Sequence, residues 1–152
     1  VKRGFRVLLV GLVLLVGAAT AASAQRGGLR LGLEFGDPTA SIVVRPGPFD
    51  LKVGYDFSSN AWIFVQGDYR IIDAYRLIDF VHLFLGVGAY AQIYFHDGVD
   101  IGVCIPVGLQ AFLLNNVLEL FLEVAPTVGF LPVISPFERW LGYVGFTILI
   151  PR

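Results

Sequence analysis

A two-residue period runs through this chain from Leu29 nearly to its last residue. It constrains the fold more than any other feature. In LRLGLEFG, residues 29 to 36, Leu29, Leu31, Leu33 and Phe35 fall on one side and Arg30, Gly32, Glu34 and Gly36 on the other. DLKVGYDF (50 to 57) sets Leu51, Val53, Tyr55 and Phe57 against Lys52, Gly54 and Asp56. IFVQGDYRI (63 to 71) sets Ile63, Val65, Tyr69 and Ile71 against Phe64, Gln66, Asp68 and Arg70. Successive side chains of a strand point to opposite faces, so these are strands whose two faces meet different surroundings.

The later segments are more apolar but keep the parity. They are VHLFLGVGAYAQI (81 to 93), IGVCIPVGLQAF (101 to 112), VLELFLEVAP (117 to 126) and YVGFTILI (143 to 150). Glu119 and Glu123 share the polar side of the third of these, opposite Leu118, Leu120, Leu122 and Val124. ASIVVR (40 to 45) completes a set of eight strands but alternates poorly. Asp37-Pro38, Pro46-Gly47-Pro48, Ser58-Ser59-Asn60, Asp97-Gly98 and Asn115-Asn116 supply turn chemistry between them. Longer connections are expected at 73 to 79 and at 129 to 139, where Pro132 and Pro136 oppose regular structure. Residues 101 to 118 carry no charge and could suggest a membrane helix, but Pro106 and Asn115-Asn116 interrupt them. The pattern describes one antiparallel up-and-down meander.

The front of the chain reads as an export signal. Lys2, Arg3 and Arg6 precede an apolar run from Val7 to Ala19, and Ala22-Ser23-Ala24 forms a cleavage site. Residues 1–24 are therefore expected to be a signal peptide and 25–152 the mature domain. Losing three of the 11 bases leaves eight against all 12 acids, a net charge near −4. With no run of Lys or Arg in the mature segment, nucleic acid and other polyanions are excluded as expected partners. The single Cys104 allows no intrachain disulfide.

Only 15% of residues are charged, against about 25% in an ordinary soluble domain. That shortage bears on which face of each strand is wet. A soluble barrel turns its apolar face inward, whereas a transmembrane barrel turns it to lipid and keeps a polar interior. The polar side here is rich in glycine and also carries Phe64, Phe84, Tyr90, Phe112 and Phe121. Small and large side chains in alternation suit a cramped interior better than a water-facing surface. The expected fold is an all-β, eight-stranded antiparallel transmembrane barrel. Its interior network is expected to comprise Arg30, Glu34, Lys52, Asp56, Asp68, Arg70, Glu119 and Glu123. Tyr55, Phe57, Tyr69, Tyr94 and Trp140 are placed for interfacial girdles.

On these residues a resemblance can be stated. LRLGLEFGDPTA at 29 to 40, IGVCIPVGLQAFLLNNVLELFLEVAP at 101 to 126 and the closing strand resemble the small eight-stranded outer-membrane barrels of the OmpA/OmpX type. They are more similar still to a group of short, uncharacterised outer-membrane barrels of diderm bacteria. The resemblance covers most of residues 29 to 150 and implies outer-membrane lipid as the surroundings, with the barrel-assembly machinery as a partner during biogenesis. It also implies an assembly signal in the last strand, matched by Tyr143, Gly145, Ile148 and Ile150, although Pro151 and Arg152 stand where such barrels end on an aromatic residue.

No chemistry is expected. Outer-membrane lipid A deacylases carry His and Ser two apart on one strand face, whereas Phe84 follows His82 here. His96, Asp97 and Asp100 lie in or beside a turn and offer too few ligands for a metal. Cys104 lacks a neighbour that would stabilise a thiolate, and Gly86-Val87-Gly88 opens no helix. Glu119 and Glu123 would need a cleft for acid–base work, and a packed interior provides none. The chain is therefore read as a non-enzymatic envelope protein without cofactor, structural or surface-contacting rather than a wide pore. A soluble, lipocalin-like periplasmic lipid binder is the alternative.

Overall fold

The computed structural model describes residues 28–96 and 98–151, so the expected signal peptide and cleavage site lie outside them. Nine strands are present among the described residues: β1 (Leu29–Asp37), β2 (Ser41–Pro46), β3 (Phe49–Asp56), β4 (Trp62–Ile78), β5 (Val81–Tyr94), β6 (Gly98–Cys104), β7 (Val107–Leu113), β8 (Leu118–Leu131) and β9 (Ser135–Ile150). All pairings are antiparallel, and no helix occurs among the described residues. Except for β6 and β7, which do not pair with each other, each strand pairs with its neighbours in sequence, and β1 pairs with β9 from Leu29↔Ile150 to Asp37↔Gly142. The sheet therefore closes on itself.

The ring has eight positions because β6 and β7 share one. Both pair with β5 on one side and with β8 on the other. The expected single strand at 101 to 112 breaks at Ile105-Pro106, since proline has no N–H to give the ladder. Hydrogen bonding continues around the break, with Gly86 N donating to Pro106 O at 2.8 Å and Ile105 N donating to Pro126 O at 3.1 Å.

Two expected connections turn out to be strand. β4 runs on to Ile78, its extra length absorbed by register shifts against β5 between Arg70 and Ile78. β8 reaches Leu131, leaving Pro132 in a short turn, and Pro136 pairs with Val128 just past a register shift. Prolines are tolerated at such irregularities, where the ladder is already interrupted.

Side-chain parity matches the alternation of the sequence. The inner face carries Arg30 and Glu34 of β1, Lys52 of β3, Phe64 to Arg70 of β4 and Glu119 to Thr127 of β8 at alternate positions. In β2, where alternation was poor, Ser41, Val43 and Arg45 point inward and Ile42 is exposed. Large inward rings face glycines across the ladder: Tyr90↔Gly102, Phe84↔Gly108 and Phe121↔Gly145. A Cβ on Gly108 would lie 2.5 Å from the Phe84 ring and 2.1 Å from Leu122 O, and one on Gly145 2.6 Å from the Phe121 ring. The aromatic ring occupies the space that the missing side chain leaves.

Burial is inverted relative to an ordinary domain. The described residues bury fourteen polar or charged side chains but ten apolar ones, while 38 large apolar side chains are exposed. The exposed set includes Leu31, Leu33 and Phe35 of β1, Val99, Ile101 and Val103 of β6, Leu120, Leu122 and Val124 of β8, and Val144, Ile148 and Ile150 of β9. No charged side chain interrupts these outward rows. Tyr55, Phe57, Tyr69 and Trp140 are exposed. Tyr94 is not, because it takes the inner parity at the rim, where its hydroxyl donates to Asp100 at 3.0 Å.

Candidate functional site

The interior holds two ionic clusters of opposite balance. One is centred on Lys52, which is fully buried. Its ammonium hydrogen-bonds Glu123 and lies 3.5 Å from Asp68 and 3.7 Å from Glu34, one base among three acids. Gln66 donates to Asp68 at 2.7 Å, and the Cys104 thiol lies 3.4 Å from the other Asp68 oxygen. The Tyr143 ring centroid is 5.0 Å from the Lys52 nitrogen. Around this group pack Phe64, Tyr90, Cys104, Ala125, Leu141 and Tyr143. A compact point charge with rotatable donors suits a site in which several carboxylates converge.

Lys52 and Glu123 bridge the ring at its widest. Counting around the sheet, β3 and β8 stand four positions apart in a ring of eight, so this ion pair spans the diameter. An eight-stranded ring leaves a bore just wide enough for side chains to fill. Here the filling is a cross-ring salt bridge.

The second cluster is rich in arginine. Arg45 of β2 bonds Asp50 through Nε and Glu119 through Nη1. Arg70 of β4 donates to Asp50 at 3.0 Å, to Gln110 at 2.6 Å and to Asp73 at 3.3 Å. Arg30 of β1 approaches Glu119 at 3.8 Å, and Thr147 donates to the same carboxylate at 2.8 Å. Each guanidinium also lies near an aromatic ring: Arg70 is 4.0 Å from the Phe84 centroid, Arg30 is 5.2 Å from Phe112 and Arg45 is 5.5 Å from Phe121. Planar forks that hydrogen-bond at the edge and stack on the face are what Arg provides and Lys does not.

Seven of the eight residues expected in the interior network are brought together: Arg30, Glu34, Lys52, Asp68, Arg70, Glu119 and Glu123. Asp56 is not among them. It ends β3 at the rim and accepts hydrogen bonds from the backbone N (3.0 Å) and hydroxyl (2.7 Å) of Ser58, the local turn contact that aspartate readily makes. Arg45 and Asp50 were missed, although both have inner parity; Asp50 stands two before Lys52, and Arg45 ends the poorly alternating segment. Nor is the interior wholly packed. One rim opens into a cavity of about 370 Å³ lined by Arg30, Arg45 and Arg70, a basic cluster invisible along the chain because its members come from three strands.

Reactive groups are scattered. His82 is half-buried and packs edge-on to Phe112, with centroids 5.3 Å apart, while His96 is exposed in a turn and Asp97 lies outside the described residues. Cys104 is buried. Among the described residues no three His, Cys, Asp or Glu are grouped to hold a metal. Of the expected assembly-signal residues, Tyr143 and Gly145 point inward and Ile148 and Ile150 outward. Compared with protein-family models, with curated proteins and with solved structures, the chain matches none of them.

Proposed function

We propose that this chain is an integral outer-membrane β-barrel whose interior is plugged by its own side chains, serving envelope structure or surface contact rather than bulk passage. One observation carries the reading: along the middle of every ring strand the outward positions are apolar or glycine, while the charged side chains point inward or lie toward the strand ends, as Asp37, Asp73, Arg76 and Glu138 do. In water so much contiguous exposed apolar surface would drive association, whereas in a bilayer it is the matching surface. A closed ring also leaves no free sheet edge, the condition for a sheet to cross hydrocarbon. The Lys52–Glu123 bridge across the diameter supports a plug over a pore. A lipid binder of lipocalin type needs an apolar cavity, whereas the cavity at this rim is lined by Arg30, Arg45, Arg70, Asp73, Gln110 and Glu119 as well as by Phe112.

The test is gel mobility of the mature chain folded in detergent, with and without boiling, alongside circular dichroism. The expected result is a boiling-dependent shift with a β-type spectrum. A chain that stays monomeric in buffer without detergent would sink the membrane reading and favour the periplasmic binder.

A further inference from the structure

The arginine cavity opens at the rim where β1 begins and β9 ends. Arg30, Arg45, Arg70, Gln110, Glu119 and Asp73 supply its polar lining, and the Phe112 ring forms part of its wall. Donors here exceed acceptors. Asp50 is already shared by Arg45 and Arg70, and Glu119 is shared by Arg45 and Thr147. The third carboxylate, Asp73, has a side chain 57% exposed and touches only Arg70, at 3.3 Å. Nη2 of Arg45, a side chain only 4% exposed, and Nη1 of Arg30 find no hydrogen-bond acceptor among the described residues. A guanidinium can only donate, so each orphaned nitrogen calls for an acceptor from outside.

We propose that this mouth binds a phosphate-class oxyanion. Three guanidinium groups approach from β1, β2 and β4, which suits a tetrahedral anion with acceptors in several directions better than a planar carboxylate. The cavity exceeds a bare phosphate, and Phe112 offers an apolar wall to a small organic group carrying one. Asp73 is the partner that the anion displaces from Arg70. Two sources share this chemistry, a soluble phosphate compound and the phosphodiester headgroup of a lipid.

The experiment is calorimetric titration of the folded mature chain in a non-ionic, phosphate-free detergent. The probes are inorganic phosphate and glycerophosphoglycerol, a soluble diester headgroup. Saturable one-to-one binding of either is expected; preference for phosphate assigns a soluble source, and preference for the diester assigns the headgroup. Arg30→Gln, at the partly exposed edge of the mouth, should weaken binding at least tenfold, or about 1.4 kcal/mol. Glu119→Gln removes the carboxylate that competes for Arg45 and should strengthen it by a similar factor. No saturable binding of either probe, or equal affinity in Arg30→Gln, overturns the proposal. If Glu119→Gln fails to fold, wild type against Arg30→Gln still decides. The inference depends on the ring and not on its location: should the chain prove soluble, the same titration in buffer tests it independently of the membrane reading.

Discussion

The two halves of the interior solve the same problem in opposite ways. Around Lys52 one cation serves three carboxylates, with Phe64, Tyr90, Leu141 and Tyr143 packed about it. In the other half three guanidinium groups share Asp50 and Glu119 and open toward solvent at one rim. The first arrangement hangs on a single nitrogen. The second is redundant, since either Arg45 or Arg70 can lose its partner and leave Asp50 with a bond. Burying charge is tolerable only with complete pairing, so the halves should differ in how they fail.

Lys52→Met gives the largest expected effect. It strands Glu34, Asp68 and Glu123 without a counter-charge, and breaking a buried pair in this way costs about 3–5 kcal/mol. Urea unfolding of the detergent-folded chain, followed by circular dichroism, should show that loss, with partial recovery in Lys52→Met/Glu123→Gln. Arg70→Met should cost clearly less in the same assay, because Arg45 still holds Asp50. Equal losses would erase the distinction between the halves.

An outward charge comes next. Leu122→Arg places a base on the exposed apolar row of β8, at a cost of about 2–4 kcal/mol if that row sits at mid-bilayer. The measurement is refolding in lipid vesicles, and indifference to the substitution would count against the membrane reading. Gly108→Val forces a side chain against Phe84 and Leu122, and overpacking of this kind costs about 1–3 kcal/mol. Adding Phe84→Leu should recover part of that loss if the ring and the glycine are fitted to one another. Smallest of all, Asp79→Asn removes an exposed pair with Arg76 at 2.7 Å and should shift the unfolding midpoint by less than about 1 kcal/mol.

Much of the ring was legible because its signal is local. Parity in LRLGLEFG or VLELFLEVAP states which side chains share a face without reference to any other strand. Parity also points inward for Arg45 and Asp50, but the uneven apolar pattern of ASIVVR obscures Arg45, and Asp50 stands at the start of its strand beside Pro46-Gly47-Pro48, where an aspartate also suits a turn. Proline misled in two directions. Pro106 splits the segment 101 to 112 despite its continuous alternation, and Pro136 lies within a strand, because proline's effect depends on whether the ladder needs its N–H at that position.

Local alternation alone sufficed for the all-β class, for most of the strand cores though not their ends or the split at Pro106, and for the inward turn of Arg30, Glu34, Lys52, Asp68, Arg70, Glu119 and Glu123. Which charge meets which was decided only by the tertiary structure. Lys52 reaches Glu123 across 71 residues of chain and the full width of the ring, and Arg45 reaches Glu119 across 74. A two-residue period carries no information on the partner opposite. That choice follows from the stagger of the strands around a closed sheet, which is set by all its ladders together.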